Sequence, residues 1–220
     1  MKSVRLWYKK SGLAIYTSHL DMNRCFIRAV RRAGIPLWYT EGFNPHPYLN
    51  FLVPLPLGTA GEREPIDIRI ESDMPLDEIK DRMNAVLPGG IEITAVTLPE
   101  HKTNEITSAR YEAELEFAND ADAVKFAASA RETVATGVLE AEKRSKRGIK
   151  TVNLCEFIDS FEVKSEGNTA VINACLATGT EKNLGASLLA EALCTACGTQ
   201  AETVRIRRLD ILLADGVSFK

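Results

Sequence analysis

The sequence predicts an α+β fold built twice in tandem, and three observations predict it. An order of strand, helix, strand, strand, helix, strand reads off residues 1–99. The same order recurs over residues 109–220, and the stretch between, Pro99–Ala109, is polar enough for a linker. Such an order buries its apolar faces most economically as an antiparallel sheet with both helices on one face. The expectation is therefore two tandem ferredoxin-like (βαββαβ) domains, 1–99 and 109–220.

Each element has a local reason. Val4–Lys9 alternates Val4, Leu6 and Tyr8 with Arg5, Trp7 and Lys9, the period of a strand. Ser18 followed three residues later by Asp21 marks a helix start, and Gly34 with Pro36 marks its end. Leu37–Thr40 reads as a short strand and Tyr48–Val53 as its successor. Glu64–Glu71 places Ile66, Ile68 and Ile70 on one side. Leu76–Leu87 has helical spacing, broken by Pro88-Gly89-Gly90, and Ile91–Leu98 is a strand. In the second half Arg110–Phe117 alternates, and Asn119 caps a helix over Ala121–Thr136. Leu139–Lys143, Ile158–Lys164 and Thr169–Ala177 read as strands, the last two joined by a turn at Glu166-Gly167-Asn168. Leu184–Cys197 is a helix closed by Gly198, and Val204–Leu213 is the last strand.

Charge is unevenly placed. Residues 1–60 hold eight Lys/Arg against two Asp/Glu, and residues 61–100 hold four against ten. The whole chain is slightly acidic, at net −3, so nucleic-acid binding has to rest on a local patch. No apolar run approaches the roughly 20 residues of a membrane span. Met1–Leu6 has no apolar signal region, so a cytoplasmic protein without membrane association is expected.

The densest cluster of special residues is 16–58. On a helical wheel Met22, Cys25, Phe26, Ala29, Val30 and Ala33 share one face. Arg24, Arg28 and Arg31 fall on the opposite side, with Arg32 at the flank and only Asp21 to neutralise them. Like charges at this spacing repel. Either a phosphate backbone relieves them, which suits the forked guanidinium, or the acidic block 62–81 does. The loop Gly42–Pro47 follows, with His46 between Pro45 and Pro47, either of whose X-Pro bonds is a candidate for cis. His19 opens the helix. Each histidine is a candidate catalytic group if the protein is an enzyme, or else a structural side chain. If the helix start and the loop meet, His19, His46 and the arginines share one cleft. Asn44 is a further candidate contact in the loop.

A second basic run, Lys143-Arg144-Ser145-Lys146-Arg147-Gly148-Ile149-Lys150, reads as a flexible loop. Lys143, Arg144, Lys146, Arg147 and Lys150 are candidate phosphate contacts. Arg205, Arg207 and Arg208 on the last strand are candidates to extend a patch. Trp7, Trp38, Tyr39, Phe43 and Tyr48 interleave with cations, as in binders of single-stranded RNA, or else they fill the sheet core. Of five cysteines, Cys194 and Cys197 form a lone C-x-x-C within a helix, best read as small packed residues. No metal site and no cofactor are expected, and the chain has no C-x-x-x-C-x-x-C for an iron–sulfur cluster of its own.

Ser18-His19-Leu20-Asp21, Arg24, Arg28-Ala29, Arg31-Arg32-Ala33, Ile35-Pro36, Gly42-Phe43-Asn44-Pro45-His46-Pro47 and Pro54-Leu55-Pro56-Leu57-Gly58, with Glu64, resemble the radical-SAM-linked protein family, a bacterial domain of unknown function. The resemblance covers about residues 3–72. Lys146–Ile158 looks like a degenerate family segment, with Asn153-Leu154-Cys155 where an Asp-hydrophobic-Arg is expected. The resemblance implies a radical-SAM enzyme as partner and genes near those of ribonuclease G/E and ribosomal proteins, which leans toward RNA. The layout is also similar to that of CRISPR repeat-processing endoribonucleases, although a fold does not fix a function. Three readings follow: an RNA-binding accessory of a radical-SAM enzyme in tRNA or rRNA metabolism, a protein-docking module for that enzyme, or a metal-independent endoribonuclease.

Overall fold

Strand β1 (Lys2–Lys10) is followed by a 3₁₀ turn (Gly12–Tyr16) and helix α1 (His19–Arg32) in a computed structural model that describes residues 1–145, 148–179 and 182–220. Strands β2 (Leu49–Phe51) and β3 (Thr59–Ile70), helix α2 (Leu76–Asn84) and strand β4 (Ile91–Thr97) complete the first half. The second holds β5 (Ile106–Glu116), α3 (Asp120–Ala135), β6 (Glu140–Ser145), β7 (Gly148–Asn153), β8 (Ile158–Glu166), β9 (Thr169–Ala177), α4 (Ala186–Cys197) and β10 (Thr203–Leu213). The fold is mixed α+β. The chain divides into two units, Met1–Glu105 with Ser218–Lys220, and Ile106–Val217.

In the first unit the strand order is β4-β1-β3, with β2 paired to β3, and every pairing is antiparallel. Val4, Leu6 and Tyr8 of β1 and Ile66, Ile68 and Ile70 of β3 form one side of a core closed by Phe26 and Val30 of α1 and Ile79 and Met83 of α2. Tyr8, Phe26 and Phe51 meet edge to face at 5.2–5.9 Å. In the second unit the order is β10-β5-β9-β8, again antiparallel throughout. Phe117, Phe126, Ala130, Leu189 and Leu193 are buried within it.

The other face of β1 departs from the alternating pattern. Arg5 and Trp7, on the side of the strand opposite Val4, Leu6 and Tyr8, are as buried as those neighbours, and Trp7 takes the core alternative left open for it. The cause is distant in sequence: the last residues return to this face. Arg5 lies directly opposite Asp67 across the β1–β3 ladder. It donates from Nε and one terminal nitrogen to both Asp67 oxygens, at 2.7 and 2.9 Å. Its remaining donors reach the Lys220 and His101 carbonyl oxygens, at 2.7 and 3.0 Å. Arg63 stacks on Trp7 at 3.7 Å and donates to the Phe219 carbonyl oxygen. Trp7 meets the Phe219 ring edge-on. A buried guanidinium is tolerated because it is paired with a carboxylate and makes four hydrogen bonds.

The helix ends follow the sequence signals. Ser18 Oγ accepts from the Asp21 amide, and Asn119 does the same for Asp122. At the end of α1, Gly34 (φ +65°) donates to Arg31 and Ile35 to Val30, a Schellman closure that a left-handed glycine permits. The segment Lys143–Lys150 differs from expectation. Residues 143–145 and 148–150 belong to the paired strands β6 and β7, with Lys143 opposite Lys150, and form no loop. The strand expected over Leu139–Lys143 is thus present as β6, whereas β7, with Gly148–Thr151 exposed, has no expected strand.

Replacing Arg5 with Met removes one partner of a buried pair and strands two carbonyls. We expect a loss of about 3 kcal/mol in urea unfolding. Lys2→Met breaks the exposed Lys2–Asp73 pair and leaves the midpoint unchanged.

Candidate nucleic-acid interface

Helix α1 is placed by both of its ends. Lys10, buried at the end of β1, donates to the Thr17 carbonyl oxygen immediately before the Ser18 cap. Burial pushes its ammonium below the usual lysine range, and the charge of Glu64 partly opposes that. At the inner face Met22, Phe26, Ala29, Val30 and Ala33 are buried and Cys25 is half-buried. The Cys25 thiol is pushed up by that burial. Geometry therefore turns Arg24, Arg28, Arg31 and Arg32 outward, and all four are exposed.

Their partners are few. Arg24 faces Asp21 at 3.4 Å, an exposed pair one turn back. Arg28 donates to the Arg24 carbonyl oxygen at 3.2 Å. Arg31 donates from Nε and a terminal nitrogen to the Tyr39 hydroxyl, at 3.1 and 2.8 Å. Among the described residues, no ion pair joins any of the four to the acidic block. That block pairs elsewhere: Asp67 with Arg5, Asp73 with Lys2, Glu62 with Lys9 and Glu78 with Arg82. The acidic block is therefore not what the arginine row faces.

The loop after α1 folds on itself. Thr40 donates to the His46 carbonyl oxygen at 2.9 Å, and Tyr39 bridges Pro47. The Thr40 hydroxyl accepts from the His46 amide at 3.2 Å. Both X-Pro bonds are trans. His46 Nδ1 lies 3.0 Å from that hydroxyl and 3.2 Å from the Asn44 carbonyl oxygen. A carbonyl only accepts, so the Asn44 contact calls for a proton on Nδ1, whereas the Thr40 hydroxyl serves either tautomer. Asn44 and His46 are exposed, and Phe43 projects fully into solvent at the tip.

His19 is also exposed, its ring edge-on to Phe51 at 5.2 Å. It opens α1, whereas Tyr39 ties the loop to Arg31 near the other end. Twelve residues of helix separate His19 from Arg31, about 18 Å along the axis. The shared cleft expected for the two histidines is thus not formed, because the loop packs at the wrong end of α1. No hydrogen bond joins either histidine to an arginine of α1.

The other basic candidates lie in the second unit. Lys143 is half-buried, donates to the Asn183 carbonyl oxygen and lies 4.8 Å from the centre of the Phe157 ring. Lys150 is exposed on β7. Arg144 lies on β6 opposite Ile149. Its side chain, and Lys146 and Arg147 altogether, lie outside the described residues. Arg205 and Arg207 pair with Glu116 and Glu112, and Arg208 is buried, so these three do not form a free patch. Cys194 and Cys197 have thiols pushed up by burial. That disfavours the reactive thiolate. Among the described residues no cluster of three or more His, Cys, Asp or Glu is arranged to hold a metal ion. No described helix is long and apolar enough to cross a membrane.

Comparison with known proteins places residues 3–186 in one family, described as an uncharacterized protein conserved in bacteria (DUF2344). The chain belongs to that family. The DUF2344 match spans α1, the Thr40–Pro47 loop, β6 and β7, so both basic segments lie within it. No curated protein matches the chain. One similar solved structure is the crystal structure of an unknown protein from Galdieria sulphuraria, at 12% identity, covering 97% of this chain and 98% of that one. Its TM-score is 0.27, too low to bear on the fold of this DUF2344 protein.

The tautomer of His46 is directly measurable. Long-range proton–nitrogen NMR correlations of the neutral ring should show the proton on Nδ1. A proton on Nε2 contradicts the assignment.

Proposed function

We propose that this protein binds RNA through the outward face of α1 and the adjoining Thr40–Pro47 loop, as an accessory of a radical-SAM enzyme acting on tRNA or rRNA. One observation carries the reading: among the described residues, Asp21 is the one carboxylate paired with the row Arg24, Arg28 and Arg31, while Glu62, Asp67, Asp73 and Glu78 of the neighbouring acidic block pair with other cations. An uncompensated row of guanidiniums repels itself, and a phosphate backbone relieves that repulsion. Lys143 and Lys150 offer a second basic region in the other unit.

The radical-SAM partner is supported by the sequence resemblance of residues 3–72. A cytoplasmic location is part of the same proposal. The tandem ferredoxin-like reading draws support from the strand order in each unit once the separate β6–β7 pair is set aside: the first strand then lies between the third and the fourth, and the second pairs with the third. The proposal includes no cleavage step, since His19 and His46 lie apart and neither touches an arginine of α1.

Protein docking is the second reading, and exposed apolar residues favour it. Leu13 and Tyr16 share one face of the 3₁₀ turn, and Leu20 and Leu57 are also exposed. Gly58, next to Leu57, donates to the Ile15 carbonyl oxygen, so these segments adjoin.

Fluorescence anisotropy with labelled RNA at low salt tests the proposal. The double variant Arg28→Glu, Arg31→Glu should lose at least about tenfold in affinity. Equal binding by wild type and variant, or no binding by either, overturns the reading. Leu13→Asp with Leu57→Asp should leave RNA affinity unchanged.

A further inference from the structure

The five aromatic residues of the first half are not equivalent. Trp7 is buried beneath Arg63 and Phe219. Trp38 and Tyr48 are half-buried and flank the Arg69 guanidinium, at 5.2 and 4.2 Å. None of these three is available to a ligand as a bare ring. Tyr39 is exposed, its hydroxyl accepts from Arg31, and the Arg31 guanidinium lies 5.8 Å from its ring centre, so one face of the ring is left for a base. Phe43 is 106% exposed, with no ring or cation against it.

A phenylalanine wholly in water at a loop tip contributes nothing to folding, and a turn needs no aromatic there. This loop is also stiff. Pro45 and Pro47 fix two φ angles, Thr40 and His46 hold each other through backbone and side chain, and Gly42 takes φ +128°. A rigid, projecting ring beside a row of guanidiniums is the arrangement that stacks an unpaired base while the backbone runs over cations. Little ordering entropy remains to be lost on binding.

Resting on the RNA-binding reading above, we infer that the ligand is a single-stranded segment, with an unstacked base on Phe43, a second against Tyr39, and phosphates along Arg31, Arg28 and Arg24. Duplex RNA does not fit this surface. Its bases are stacked on one another, and its deep, narrow major groove admits no loop tip. A loop bulging from a folded RNA and a free single strand present the same chemistry, and both supply such a base.

The test uses the full chain at low salt with two probes: labelled oligouridylate, and a self-complementary RNA duplex of matched length. The single strand should bind at least about tenfold tighter. Phe43→Ala should cost about tenfold against oligouridylate, leave the duplex affinity unchanged and leave the urea midpoint where it was. Phe43→Trp should retain affinity, and its indole emission should be quenched on binding. Equal affinity for both probes, or an unchanged Phe43→Ala, overturns the stacking inference while the arginine row stands as an RNA site. Absence of affinity for either probe overturns both.

Discussion

The charge arrangement of the first unit depends on Arg5 and its hold on Asp67. These two residues face each other across the β1–β3 ladder, and the guanidinium is out of water. Their pairing commits one carboxylate of the acidic block to the sheet. It also draws the His101 and Lys220 carbonyls onto the same side chain, which seals the outer face of β1. Lys9 and Lys2, from the same strand, engage Glu62 and Asp73. A block that looks from its charge like the counterweight of α1 is thereby tied to β1 and α2. The arginines of α1 face solvent because their helix has one clean apolar side, and no ion pair among the described residues joins them to the acidic block, four of whose acids hold other cations.

Much of this was legible in the sequence, and the reasons are local. The apolar face of α1 repeats at helical spacing, and Ser18, Gly34 and Asn119 are ordinary cap residues, so ends and faces follow from a few neighbouring positions. The burial of Arg5, and what covers Trp7, was not legible. Their covering groups come from residues 101 and 219–220, and no periodicity within β1 encodes a partner some two hundred residues away. Strand β7 was hidden for a different reason: its partner β6 was read in part as Leu139–Lys143, but the exposed, cation-rich start of β7 reads as a loop.

The candidate site divides in the same way. The direction of Arg24, Arg28 and Arg31 followed from the wheel, but the identity of their neighbours required the fold. Arg31, to which Tyr39 ties the loop, lies most of the length of α1 from His19, and the fold sorts the aromatics into buried, half-covered and bare. Phe43 stands out only after that sorting, because an aromatic in a Pro-rich loop has no sequence signature that distinguishes a core plug from a platform.

The salt dependence of RNA affinity tests the central claim most directly. If three guanidiniums of α1 each displace a counterion from a single strand, a plot of log affinity against log salt has a slope of about −2. Changing Arg24, Arg28 and Arg31 together to Ala should bring the slope close to zero without moving the unfolding midpoint. A wild-type slope near zero, or a slope untouched by the triple change, contradicts the account.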